Sequence, residues 1–278
     1  MNTSDSLRTN GTIAYRLATP QDIDSIIHVM HASFDAAHLA RTLFSASGIS
    51  AYLSQQVAFQ SSLGDTQFFV AEIGDTIVAM AEFRRVHNGL FLNQVAVHPQ
   101  AQSSGVGRTL LRYAFQHMQP RPSYTFGLDV RQSDAGVQAW YRRLGLKTRS
   151  TTRWWGIEQG TVSDSEFFVS GLPQAMVTKD AFGFCQISVA TNQGRYDVGL
   201  LGDDWYRITN VQALKDKGLW AALQKIDANR RVLALLPDGI DLSDMPFSTE
   251  LLDVTHRMEG EIGRVMNALH GEKGYQFE

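Results

Sequence analysis

The sequence predicts an α/β chain in which strands and helices are interleaved, with a helix-flanked sheet in the first part and a smaller α/β unit after it. Three observations predict this. Phe91–Val97 has the apolar, β-branched content of a buried strand, and a polar, glycine-bearing loop and an amphipathic helix follow it directly. Strand-like runs joined by Gly74-Asp75 and His87-Asn88-Gly89 precede it, which are hairpin signals. The composition, 44% hydrophobic and 19% charged over 278 residues, is that of a folded globular protein large enough for one large or two ordinary domains.

Taken in order, Met1 to Gly11 is a polar leader without an apolar signal core. Thr12–Leu17 alternates as a strand. Thr19-Pro20 opens a helix whose buried face is Ile23, Ile26, Ile27 and Met30, with Thr19 as cap and Asp22 and Asp24 at the positive end of its dipole. The pattern weakens from His31 to Gly48, through Phe34, His38 and Phe44, a kind of connection that often carries substrate contacts. A second helix is expected from Ile49 to Leu63, then strands at Gln67–Ile73 and Thr76–Arg85, then the central strand. Val106, Leu110 and Ala114, with Leu111 and Phe115 beside them, share one helix face. After Pro120 and Pro122 come a strand, Tyr124–Val130, a helix from about Ser133 to Leu144 closed by Gly145, and one or two strands between Lys147 and Glu158.

A composition shift near Gln159-Gly160-Thr161 divides the chain into 1–159 and 160–278. The second part reads as a hairpin (Gly183–Ala190 and Arg195–Leu201), a helix from Val211 to Asp227, a buried strand Arg231–Leu236, and a last strand and short helix between Glu250 and Leu269. No internal sequence repeat is evident.

The charge balance is −3, against a general polyanion binder, and no run is long and apolar enough to span a bilayer. The expectation is a cytoplasmic protein without nucleic-acid or membrane partners. The single cysteine, Cys185, excludes an internal disulfide, and none of the eight histidines shows a metal-binding spacing, so no metal is expected. No Gly-x-Ser-x-Gly elbow offers a serine nucleophile.

The loop before the Val106 helix is the chemically informative stretch. The first N–H groups of a helix lack partners within it and attract anions, and glycine lets a phosphate approach the backbone. A nucleotide P-loop fails because Arg108-Thr109, not Lys-Ser/Thr, follows Gly107. A dinucleotide site stays open, with Asp129 as the ribose-binding acid, although Leu110 occupies the third small position. An ordinary tight turn also accounts for glycines alone. The third reading is the pattern Gln/Arg-x-x-Gly-x-Gly/Ala, which Gln102-Ser103-Ser104-Gly105-Val106-Gly107 satisfies in full.

Here the sequence resembles the pyrophosphate loop of the GNAT N-acetyltransferases, which use acetyl-CoA, and the resemblance covers roughly Ile13 to Glu158. It implies a GNAT fold, with a central mixed, largely antiparallel sheet flanked by helices, and transfer of acetyl from acetyl-CoA to a primary amine by direct attack. The coenzyme would be bound by the backbone of Val95, Ala96 and Val97 and by Gln102, Ser103, Ser104, Gly105, Val106, Gly107 and Arg108. Ala139–Leu146 is similar to the segment that carries the family's tyrosine near the coenzyme sulfur, which makes Tyr141 the expected general acid; packing on the buried helix face is its other reading. Asp134 and Leu146 depart from the family pattern, where asparagine and an aromatic are usual.

Asn93 and Gln94 stand where some members carry a glutamate base. Glu82 on the preceding strand is the chosen substitute, with Glu72, His98 or a water chain as alternatives. Trp154 and Trp155 either line the acceptor cleft or pack in the core. The expected partner is a small-molecule or peptide amine, a homodimer is one expected assembly, and 160–278 is read as an accessory domain or a degenerate GNAT-like half. A non-catalytic acyl-CoA sensor or scaffold is the alternative function.

Overall fold

The computed structural model describes residues 12–61, 63–160, 165–243 and 245–271; the polar leader and Thr161 lie outside them. The first half runs β1 (Ile13–Leu17), α1 (Ile23–Ser33), α2 (Ala36–Leu39), α3 (Ile49–Phe59), β2 (Thr66–Ile73), β3 (Thr76–Val86), β4 (Gly89–Val97), α4 (Val106–Met118), β5 (Thr125–Arg131), α5 (Ala135–Arg143) and β6 (Lys147–Ile157). The second runs β7 (Phe167–Ser170), α6 (Leu172–Phe182), β8 (Phe184–Thr191), β9 (Arg195–Leu201), β10 (Trp205–Ile208), α7 (Val211–Lys215), α8 (Lys217–Asp227), β11 (Arg231–Pro237), β12 (Thr249–Glu261) and α9 (Ile262–Gly271). No described helix is long and apolar enough to cross a membrane.

Local chemistry explains most boundaries. Gly74, at φ +59°, and Asn88, at φ +54°, supply the left-handed backbone of the β2–β3 and β3–β4 turns. Thr19 and Asp22 form a capping box ahead of α1, and Arg16 clamps the Asp22 carboxylate at 2.7 and 2.9 Å. The helix expected over Val211–Asp227 is two. Asp216 breaks it: its buried carboxylate accepts from Gly218 N at 2.8 Å and Leu219 N at 3.4 Å and so starts α8 anew. β7, α6 and β10 were not anticipated, and α3 stops at Phe59, short of Leu63.

All described strands form one sheet, in the order β1-β2-β3-β4-β5-β12-β6-β11-β10-β9-β8-β7. Read from one end, the first half is β1-β2-β3-β4-β5 followed by β12-β6. Read from the other, the second half is β7-β8-β9-β10-β11 followed by β6-β12. The halves thus repeat one topology, with β4∥β5 and β10∥β11 as the two parallel pairs, and each inserts its last strand into the other. β12 pairs with β5 from Thr255↔Arg131 to Glu261↔Thr125, and β6 pairs with β11 from Ile157↔Val232 to Thr152↔Pro237.

The exchange extends to the core. Met258 of β12 and Ile262, Val265 and Leu269 of α9 are fully buried among Leu110, Leu111, Phe115, Phe126 and Leu144 of the first half. The opposite face of that half-sheet is covered by α1 and α3 through Ile26, Met30, Leu53 and Val57 against Phe68, Val70 and Met80. At ~1.5–3 kcal/mol per buried aliphatic side chain, the C-terminal segment stabilises the first half by several kcal/mol. That is a large share of an ordinary domain's stability.

Residues 1–159 expressed alone are therefore expected to lack a cooperative thermal transition, and 160–278 added in trans to restore it. A fragment melting cooperatively at the full chain's temperature would refute the mutual dependence.

Candidate active site

β4 carries one residue too many for its neighbour. In the β3–β4 ladder Glu82 faces Gln94 and Phe83 faces Leu92, which leaves Asn93 as a bulge. A bulge bends its strand and increases local twist. Pairing of β4 with β5 accordingly runs from Gly89↔Thr125 to Leu92↔Leu128 and ends there. Beyond it, Asn93–Val97 stays with β3 while Asp129–Arg131 stays with β12, so a V opens between β4 and β5. Val95 and Val97 are half-buried against the core and Ala96 is buried, and their β5-facing backbone edge meets no strand. Val97 O accepts from Ser33 Oγ at 3.0 Å and Gln102 Nε2 at 2.9 Å.

The loop that closes the V delivers α4. A short 3₁₀ turn, Pro99–Ala101, leads to Ser103 and Gly105, both left-handed at φ +62° and +82°. Gly105 is the N-cap of α4, and no side chain caps that end. Its first N–H groups, at the positive pole of a thirteen-residue helix, face an exposed Gln102–Gly105 loop. A Cβ on Gly107 would lie 3.1 Å from Val97 Cγ2, so this glycine lets the helix start approach the tip of β4. Arg108 points elsewhere: its guanidinium donates to the carbonyls of Ala268 and Leu269 at 2.9–3.2 Å and caps α9.

The second half lacks this device. All four residues of β10 pair with β11 and the strand ends there, so β10 offers no stretch of strand beyond the pairing. The five-residue α7 that follows is capped by Asn210, whose side chain accepts from Gln212 N at 2.8 Å.

Tyr141 lies on the inner face of α5, 3% exposed, in the core shared by Val106, Leu110, Leu144 and Met258. Trp140 lies beside it, ring centres 4.9 Å apart. Burial pushes the phenol well above its ordinary value, so it carries its proton at any physiological pH. Glu82 is half-buried on the α1–α3 face and accepts from the bulge residue, Asn93 Nδ2, at 2.7 Å. Burial raises its pKa, against the smaller opposing pull of Asn93 and Arg84. The structure thus links Glu82 to the bulge, while Glu72 is committed to Arg16. Trp154 and Trp155 take opposite faces: Trp154 donates to Thr255 Oγ1 at 3.2 Å, and Trp155 packs on the second half's core.

One cluster escaped the sequence reading. Asp35, His38, Arg131 and Asp253 meet on the α1 face beside Trp154, with Arg131 Nε 3.1 Å and His38 Nδ1 3.2 Å from Asp253 Oδ2. Arg131 also reaches Asp35 Oδ2 at 2.5 Å. His38 falls in the connection expected to carry substrate contacts, but its partner Asp253 is distant in sequence and only the pairing of β12 with β5 brings it there.

Residues 36–146 match the Acetyltransferase (GNAT) family. No curated protein matches the chain in sequence. Among solved structures, a tandem GNAT protein from the clavulanic acid biosynthesis pathway aligns with a TM-score of 0.63 at 12% identity, over 91% of this chain and 99% of that one. A GCN5-related N-acetyltransferase from Sphaerobacter thermophilus aligns at 0.56 and 15%, over 90% and 96%. One from Kribbella flavida aligns at 0.52 and 13%, over 91% and 72%. Such identities establish the fold: a GNAT fold with a mixed, largely antiparallel sheet flanked by helices. The dinucleotide reading falls with it, since its doubly wound sheet is mostly parallel whereas β4 has β5 as its one parallel neighbour, and Asp129 is held by Arg257 at 2.6 and 2.9 Å.

Replacing Gly107 with Val should weaken acetyl-CoA binding at least tenfold while leaving the far-UV spectrum unchanged. Equal affinity in a calorimetric titration would remove the glycine loop from coenzyme binding.

Proposed function

We propose that this protein is an acetyl-CoA-dependent N-acetyltransferase that joins the acetyl group to a primary amine in a ternary complex. The observation that carries this reading is the open V beside an uncapped, glycine-initiated helix, present in the first half and replaced in the second by full pairing and an asparagine cap. Pantetheine fits an unpaired strand edge, and a pyrophosphate fits the helix N-terminus with Gln102, Ser103, Ser104, Gly105, Val106 and Gly107 around it. Arg108 acts by fixing α4 against α9. We take 1–159 as the coenzyme-binding half and 160–278 as a degenerate half that completes the sheet, in a cytoplasmic protein. The acceptor is a small-molecule or peptide amine.

The amine nitrogen attacks the thioester carbonyl, the carbon–sulfur bond breaks, and an amide and a thiol result. In this scheme Tyr141, protonated at neutral pH, gives its proton to the departing sulfur, a transfer that its burial opposes. Glu82, its carboxyl raised by burial, takes the proton the nitrogen loses in the tetrahedral intermediate and later restores Tyr141. A second reading, coenzyme binding without turnover, is favoured by one observation: Tyr141 is packed in the core as a structural residue would be.

Thiol release from acetyl-CoA across a panel of amino acids, polyamines and peptide N-termini separates the two. Tyr141→Phe should lower turnover by roughly 10²–10⁴-fold with coenzyme affinity nearly intact. Unchanged turnover excludes the phenol, and coenzyme binding with no acceptor anywhere in the panel supports the sensor.

Glu82→Gln should slow turnover yet stabilise the fold. A carboxyl whose folded pKa lies above its unfolded value costs stability as pH rises through that interval, and the neutral amide escapes the cost. The variant should melt higher than the parent at pH 7 and lose that advantage near pH 4. A lower melting temperature at pH 7 would contradict it.

A further inference from the structure

The segment after α1 crosses the open end of the V. Ser33 holds Val97 on β4, Asp35 holds Arg131 on β5, and His38 meets Asp253 on β12. A short stretch of chain therefore ties together both arms of the V and the strand donated by the second half.

His38 is fixed within this strap. Asp253, with an 8% exposed side chain, accepts from its neighbour Val254 N at 2.8 Å through Oδ1 and faces both His38 Nδ1 and Arg131 Nε through Oδ2. The Phe34 and Trp154 rings flank the imidazole at centroid distances of 5.7 and 5.8 Å. A carboxylate only accepts, so in the neutral ring Nδ1 carries the hydrogen and Nε2 the lone pair. Among the described residues Nε2 has no partner. The charged groups facing the ring are Arg131, Asp253 and Asp35; burial and Arg131 outweigh the two carboxylates and hold His38 below its ordinary value. At neutral pH the ring is an unoccupied base, oriented as in other histidine–carboxylate pairs.

We propose that His38, oriented by Asp253, takes the first proton from the acceptor ammonium, so that the second half contributes to catalysis through β12. The inference rests on the N-acetyltransferase reading. Converting an ammonium to an amide removes two protons from nitrogen. The first passes, before attack, to His38 Nε2 and from this half-buried ring to solvent, leaving the amine lone pair free. The second leaves the tetrahedral intermediate through Glu82 as Tyr141 protonates the sulfur. Asp253 is a positioning residue, and Arg131 holds it between β5 and the strap.

The bromoacetyl thioester of coenzyme A tests this without a known acceptor, because its CH₂–Br carbon adjoins the carbonyl that the amine attacks. The Nε2 lone pair displaces bromide and forms a carbon–nitrogen bond to the full chain. One equivalent of label should map to His38, be suppressed by excess coenzyme A, and vanish in His38→Gln. Asp253→Asn should slow labelling roughly tenfold, in line with loss of an orienting group, and move the midpoint of its pH profile down, since removing a negative neighbour favours the neutral ring. A midpoint that stays in place would show that Asp253 does not act on the reacting ring and would overturn its positioning role. Coenzyme-competed binding of the analogue with His38 unlabelled overturns the dyad alone. Failure of both the analogue and acetyl-CoA to bind overturns the acetyltransferase reading and the dyad with it.

Discussion

The site depends on a mismatch of one residue. Asn93 has no counterpart on β3, so β4 bends and abandons β5 after Leu92. Everything chemically useful follows from that parting: a backbone edge at Val95–Val97 that meets no strand, room at the start of α4, and a gap that the Ser33–His38 strap can span. Glu82 holds the bulge through the Asn93 amide. A half-buried carboxyl whose pKa burial raises is the kind of group found at active sites more than in ordinary sheet cores.

The two halves show what the mismatch is worth by comparison within one molecule. Both have a parallel strand pair followed by a helix. Where the pair is complete, at β10 and β11, the following helix is short and closed by Asn210; where it is broken, at β4 and β5, the helix is long, begins with glycine and keeps its first N–H groups free of side chains. Yet the closed half is tied to the open one. It sends β12 to cover the free side of β5, α9 to bury Ile262, Val265 and Leu269 beneath Tyr141's own core, and Asp253 to meet His38. The reciprocal loan of β6 makes the sheet continuous, so geometry at the V is set by both halves.

Much of the first half could be read from the sequence because its signals are local. The glycine loop, the Val106–Phe115 stripe and the Gly74-Asp75 and Asn88-Gly89 turns each depend on neighbours a few residues apart, and each stands where expected. The bulge at Asn93 was not legible, since it exists only in register with β3. The exchange of β6 and β12 was hidden for the same reason: Thr255 and Arg131 are far apart along the chain, and alternation within a strand does not name its partner. α6 escaped because its apolar residues do not gather on one stripe and only Ala175 among them is buried, although Pro173 in its first turn is a usable start signal. The hydrogen bonds of Arg108 to the carbonyls of Ala268 and Leu269 were likewise illegible, since they join residues far apart along the chain.

On the proposed function, one half of the chain binds the coenzyme and the other does not. Calorimetric titration of the full chain with acetyl-CoA measures it directly. A single saturable site per chain is expected. Two sites per chain, or none, would contradict it: the first would show that a complete β10–β11 pair and a capped helix do not exclude the coenzyme, the second that the V between β4 and β5 does not admit it.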